Sequence, residues 1–217
     1  ALIKQAKQLT LTSRAFYNDQ LGVYERYLCS CFGYDKVLPM NTGAEAVETA
    51  IKICRKYGYE KKGIPENEAV ILVCQNNFHG RTTTIISFSI DENARKSFGP
   101  FTPGFISIPF DDLSALQNAL SEHKNIIGFL VEPIQGEAGV YVPADGYLKK
   151  AKALCEQKGV LFIADEIQTG IARTGKLLAV QHEDVKPDIL ILGKALSGGV
   201  YPVSAVLTDN EVMEVIK

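Results

Sequence analysis

VLFIA (residues 160–164), closed by Asp165 and Glu166, is the stretch that decides the fold. Five consecutive apolar residues without alternation are what a strand buried on both faces looks like, and parallel sheets covered by helices produce such strands. The same signature recurs in AVILVC (69–74), IIGFLV (126–131) and ILIL (189–192). Between these runs lie helical patterns over 43–57, 113–121 and 146–157. In the first, Val47, Ala50, Ile51 and Cys54 fall on one apolar face. Thr42 and Glu45 form a T-x-x-E capping box at its start. Strand–helix alternation of this kind predicts an open α/β sheet with helices on both sides. No internal repeat or low-complexity tract interrupts it. Residues 61–67 read as a polar loop broken by Gly63 and Pro65, and 91–104 as a long surface excursion; neither reads as a domain boundary.

The bulk composition narrows the function classes. The chain has 217 residues, 46% hydrophobic and 22% charged, the balance of an ordinary globular protein. The net charge is -2 with Lys and Arg spread along the chain, which argues against nucleic acid and anionic membrane as partners. No apolar run approaches the ~20 residues of a membrane span. Residues 1–10 carry no signal-peptide core, although the chain starts without Met, so a leader can lie upstream. Cys29, Cys31, Cys54, Cys74 and Cys155 are odd in number and show no CxxC pairing, which predicts reduced thiols in an intracellular protein rather than zinc ligands or disulfides.

In open α/β sheets, ligands bind outside the carboxyl ends of the strands. Glu132 follows one apolar run, Asp165 another, and Lys194 lies two residues beyond Leu192; Phe78, His79 and Arg81 come shortly after Cys74. Four strand ends would thus bring two carboxylates, an amine and an aromatic–guanidinium group to one rim. Each residue has a plainer reading. A lysine after a strand is most often a solvated end, although the glycines of GKALSGG would let the backbone turn and leave the amine accessible. Asp165 could simply cap a turn. Asp165 and Glu166 together, however, put two carboxylates at a buried edge, where an unpaired charge is costly and a cationic partner is expected; a protonated pyridine nitrogen would serve. The helix start at Thr42, Gly43 and Ala44 could hold an anion such as phosphate on its free N–H groups, or only cap the helix. Phe78 could be a core aromatic and Arg81 a surface ion pair. The three histidines are scattered without H-x-x-x-H spacing, which argues against a zinc site, and His123 and His182 read as exposed.

Taken in order, NTGAEAVETA (41–50), FHGRT (78–82), VEPIQGEAG (131–139), ADEIQTGIARTG (164–175) and GKALSGGVYPVSAVL (193–207) resemble the class III aminotransferases, which depend on pyridoxal 5'-phosphate. The resemblance covers essentially the whole chain. The D-E-x-Q-T-G-x-x-R-T-G block and a lysine 194 − 165 = 29 residues after Asp165 are together its most specific elements. The SGG-x-YPVSAVL continuation and LTLTSRAFYN (9–18) favour the branch acting on ornithine over those acting on acetylornithine or 4-aminobutyrate.

The resemblance implies a three-layer α/β/α domain with a mostly parallel seven-stranded sheet, in a homodimer with active sites at the subunit interface. Residues 1–217 would be the cofactor-binding large domain, incomplete because family chains are about twice as long and add a C-terminal small domain and an N-terminal segment. Lys194 would carry the cofactor covalently and move the proton, acting in its neutral form, which desolvation and a neighbouring cationic ring favour. Asp165 would pair with the ring nitrogen, and Gln168 would bond the ring hydroxyl. Thr42, Gly43 and Ala44 would hold the phosphate. Phe78 would stack on the ring, beside His79, where some relatives carry Trp. Arg81 would grip a substrate carboxylate, its planar fork matching both oxygens. Glu137 would pair with a substrate-binding arginine that lies outside this chain. The implied reaction moves the δ-amino group of L-ornithine to 2-oxoglutarate, giving glutamate and glutamate-5-semialdehyde. The compartment expected is the cytoplasm, or the mitochondrial matrix as the alternative. A truncated, non-catalytic binding module is the competing reading. A redox enzyme on a dinucleotide fold is disfavoured, because no G-x-G-x-x-G follows the first strand.

Overall fold

The computed structural model describes residues 1–13 and 15–216; Arg14, inside the LTLTSRAFYN stretch, and Lys217 lie outside the described residues. One seven-stranded sheet organises the chain: β1 (Lys36–Met40), β2 (Val70–Cys74), β3 (Phe105–Ile108), β4 (Ile126–Val131), β5 (Leu161–Asp165), β6 (Ile189–Leu192) and β7 (Ser204–Thr208). Their spatial order is β1-β7-β6-β5-β4-β2-β3. From β3 across to β6 all neighbours run parallel. Strand β7 is antiparallel to both β6 and β1, so β1 again points the way of the parallel set. The mostly parallel α/β/α architecture expected from the sequence is the one observed.

Side-chain alternation explains why the central strands read as unbroken apolar runs. In β2, Ile71 and Val73 face one core while Leu72 and Cys74 face the other; in β5, Ile163 and Phe162 divide in the same way. The first core is closed by helix α3 (Gly43–Lys61), through Val47, Ala50, Ile51 and Cys54. The second is closed by α6 (Leu113–Glu122) and α7 (Tyr147–Lys158), through Leu116, Ala119, Leu148, Ala151 and Cys155. Two covered faces leave no polar face on these strands.

The remaining helices are shorter or peripheral: α1 (Leu2–Gln8), α2 (Leu21–Phe32), α4 (Thr83–Ile86), α5 (Glu92–Arg95) and α8 (Asn210–Met213). Helix α1 buries nothing and α2 buries only Leu28. The excursion over 91–104 holds the single-turn α5 and otherwise irregular chain. The capping box of α3 is formed: the Glu45 N–H donates to Thr42 Oγ1 at 3.2 Å, and Glu45 Oε2 accepts the Thr42 N–H at 2.8 Å. All five cysteines are free, with Cys54, Cys74 and Cys155 buried. No helix among the described residues is long and apolar enough to cross a membrane.

Glycine at position 128 sets the spacing between β4 and α3. A Cβ there would lie 2.5 Å from Cys54 Sγ and 3.1 Å from Ile163 Cδ1, both in the packed core. Gly128→Ala is expected to lower stability by roughly 1–3 kcal/mol in chemical denaturation of the full-length protein. Adding Cys54→Ala should recover part of that loss, so that the two effects fail to add.

Candidate active site

Because β2, β4, β5 and β6 are parallel neighbours, their carboxyl ends form one edge, and the start of α3, which follows β1, reaches the same edge. A cleft of about 180 Å³ opens there. Lys194, Asp165, Gln168, Gly43, Ala44, Phe78, His79 and Glu137, all singled out in the sequence, line this one cleft. Glu132 lines it as well. Thr42 sits at its margin as the cap of α3. Arg81 is not in its wall: it lines an adjoining cleft, with its guanidinium carbon 5.6 Å from the centroid of the Phe78 ring, within cation–π range.

Asp165, the last residue of β5, is 4% exposed. Its Oδ1 accepts the Ile167 N–H at 3.1 Å, and its Oδ2 accepts a hydrogen bond from His79 Nδ1 at 2.7 Å. His79 itself is 3% exposed, and its Nε2 is buried without a hydrogen-bond partner. Burial alone would lower the affinity of the imidazole for a proton. The bond to Asp165 and the negative charge of Asp165 and Glu132 outweigh burial and hold its pKa above the ordinary value. The partner found at Asp165 is thus an imidazole whose hold on a proton is strengthened. Glu166 is satisfied differently, by neutral donors: its carboxylate accepts the Val180 N–H at 2.9 Å and the Thr169 hydroxyl. These bonds tie the segment after β5 to the 3₁₀ turn Ala179–Glu183.

Glu132 is the residue that the sequence located at a strand end without assigning it a role. It is 6% exposed, and its Oε2 accepts the Phe78 N–H at 3.0 Å. Burial pushes its pKa up to about 7, against a partly offsetting His79 and with Asp165 adding to the rise.

The opposite side of the cleft is built from backbone and small residues. The amides of Gly43 and Ala44 donate to no other atom among the described residues, as expected for the first turn of a helix. Ile167 packs against both ends of this wall: a Cβ at Gly43 would lie 2.9 Å from its Cδ1, and one at Gly193 would lie 3.2 Å from its Cγ2. Lys194 follows Gly193 with φ 42°, an uncommon left-handed conformation for a residue with a side chain. Its side chain is 50% exposed, with Nζ 3.9 Å from Glu137 Oε1. The desolvation expected around Lys194 is thus not supplied by the described residues. Gln168 Nε2 donates to the same Glu137 oxygen at 3.0 Å. Gly136 makes room for this bond, since a Cβ there would overlap the Gln168 side chain. Among the described residues no group of three His, Cys, Asp or Glu side chains is arranged to hold a metal ion.

The raised pKa of Glu132 has a consequence for stability. The folded chain binds this proton more tightly than the unfolded one, so stability falls as pH rises from about 4.5, the ordinary carboxyl value, through about 7. Relative to a Glu132→Gln protein, the wild type should lose roughly 3 kcal/mol between those limits. Urea midpoints of both proteins at pH 5 and pH 8 measure this; parallel profiles would contradict it.

A family model described as aminotransferase class-III matches residues 1–217. The ornithine aminotransferase of Drosophila melanogaster, named as mitochondrial, is 61% identical over 217 residues, covering 100% of this chain and 50% of its own. A crystal structure of the Toxoplasma gondii ornithine aminotransferase superposes with a TM-score of 0.98 at 56% identity, covering 100% of this chain and 51% of that one. A second structure of the Toxoplasma protein is described as holding PLP at partial occupancy in its active site. A structure of acetylornithine aminotransferase from Elizabethkingia anophelis is 66% identical with a TM-score of 0.88, covering 100% of this chain and 52% of that one. The chain spans about half the length of the relatives it matches. With the family model matching every residue and the sheet superposing on solved members, the chain belongs to the class III aminotransferases.

Proposed function

We propose that residues 1–217 are the cofactor-binding large domain of a longer pyridoxal-phosphate-dependent transaminase that moves the δ-amino group of L-ornithine to 2-oxoglutarate. The observation that carries this reading is the donor set of one cleft: an amine (Lys194), a buried carboxylate (Asp165), an aromatic face (Phe78) and two open helix-start amides (Gly43, Ala44). That set fits the chemistry of a phosphorylated, protonated pyridine aldehyde. The amides and the positive end of α3 would take the phosphate, with Thr42 fixing their direction through the cap. Asp165, held by His79 and the Ile167 N–H, would face the ring nitrogen and favour its protonated form. When bound, the cofactor supplies an electron sink for the carbon that loses its proton. Lys194 would hold the cofactor covalently and, once released, carry that proton at Nζ.

Gln168 would serve the ring hydroxyl from the position where it now bonds Glu137. Glu137 lies between Gln168 and Lys194, where an incoming cation could exchange with the Lys194 amine. Arg81, beyond Phe78, would receive a substrate carboxylate at the far side of the aromatic ring. A homodimer is part of the same reading. It is supported by exposed apolar side chains in the N-terminal segment, among them Leu11, Phe16, Tyr17 and Tyr27. The compartment in this reading is the cytoplasm, or the mitochondrial matrix as the alternative; the Drosophila relative is named as mitochondrial.

A second reading, transamination of N-acetylornithine, is favoured by the 66% identity to the Elizabethkingia protein. The full-length protein, assayed with ornithine, N-acetylornithine and 4-aminobutyrate, separates them: ornithine is expected to give the highest kcat/KM, and a higher value for N-acetylornithine would replace the first reading by the second. After reduction of the lysine–cofactor C=N bond with borohydride, the wild type should keep the cofactor through denaturation and Lys194→Ala should not; the substitution should also lower amino transfer by roughly 10²–10⁴-fold. Cofactor still covalently attached in that variant would refute the assignment of Lys194.

A further inference from the structure

Two carboxylates, Asp165 and Glu132, stand in the same buried wall of the cleft at 4% and 6% exposure. Only one imidazole serves them. His79 spends its Nδ1 on Asp165, and its Nε2 is buried and unpartnered, so it forms no bond to Glu132. The remaining groups around Glu132 offer no neutralising charge of its own. From β2 comes the buried thiol of Cys74, and from the segment after β4 comes Glu137, a like charge. Lys194, from the turn after β6, is nearest to Glu137, at 3.9 Å. Two buried carboxylates with a single imidazole between them cannot both stay ionised cheaply. Asp165 accepts two hydrogen bonds, from His79 and the Ile167 N–H, whereas Glu132 accepts one, from the Phe78 N–H. Of the two, Glu132 is the one left to hold a proton.

We infer that Glu132 is a proton-exchanging positioning residue: it holds a proton while the cleft contains no cationic ring, and it gives that proton up when a cationic aromatic ring settles against Asp165. This inference rests on the cofactor reading above. The step is a simple ionisation: the Glu132 O–H bond breaks, the proton leaves to solvent, and no bond to the ring forms. At the Asp165–Glu132 wall the positive ring nitrogen takes the place of the departing proton as counter-charge; the phosphate's charge is met at the start of α3. Ionised Glu132 then accepts the Phe78 N–H as a charge-assisted bond, which stiffens the backbone under the aromatic face as the ring arrives. The raised pKa of Glu132, near 7, puts this exchange in the neutral range.

The test adds pyridoxal 5'-phosphate to the full-length apoprotein in weakly buffered solution at pH 7, following cofactor uptake by absorbance and proton release by an indicator dye. Protons exchanged by the cofactor itself are common to wild type and Glu132→Gln and cancel in the difference. Wild type should release about half a proton more per site than the variant, because a group with a pKa of about 7 is half protonated at that pH. Infrared difference spectra of the wild type alone give a second readout independent of the variant's folding: a protonated carboxyl stretch should be lost on cofactor binding. Uptake with equal proton release, or with no carboxyl band lost, overturns the inference and leaves the cofactor reading intact. No uptake by either protein overturns both.

Discussion

Burial of both faces of the parallel strands is the constraint from which the rest of the molecule follows. Helix α3 closes one face and helices α6 and α7 the other, so β4, β5 and β6 are buried along their whole length and β2 leaves only Val70 half-buried. Polar chemistry is pushed to the strand ends, where the chain leaves the sheet. Because those strands point the same way, their polar ends converge: the loop after β2 brings Phe78 and His79, β4 releases Glu132, β5 ends on Asp165, and β6 leads into Lys194. The position of the cleft is thus set by how the sheet is covered.

The charges within the cleft are arranged in two groups. On the buried side, Asp165, His79 and Glu132 share too little positive charge for two carboxylates. On the open side, Lys194, Glu137 and Gln168 form a loose, half-exposed set in which every contact can be exchanged. The division suits a site that must hold one part of a ligand fixed while another part reacts. Rigid hydrogen bonds in a low-dielectric wall keep an orientation, and solvated contacts near 4 Å give way readily.

How far the amino-acid sequence revealed this depended on whether the signal was local. The four central strands and helices α3, α6 and α7 were legible because each carries its own periodicity, double-sided for the strands and one-faced for the helices. Strands β1 and β3 escaped a residue-level reading because they lie at the sheet edges, half-buried, and β1 carries Pro39, which an edge tolerates. Strand β7 is fully buried but begins and ends on Ser204 and Thr208, whose hydroxyls donate to Thr42 O and Asp188 O; the polar ends hid a core strand. The short distance from Asp165 to Lys194 in sequence made that pair recognisable. The bond from His79 to Asp165 spans 86 residues and left no pattern to read. Glu132 could be located by its strand, but its state depends on how many cations share its wall, which only the folded arrangement reveals. Arg81 was expected among the site residues, and the chain sets it one aromatic ring further out.

Ile167 gives the cleft its length. Its side chain lies between Gly43, at the start of α3, and Gly193, just before Lys194, so close that a Cβ at either would crowd it. The separation between the open amides and the lysine is therefore gauged by the width of a single branched aliphatic group. A bulkier residue there would push the two ends apart together, and a smaller one would let them close. Ile167 also lines the cleft, so a molecule reaching from those amides to the lysine would lie against the same side chain that stands between them.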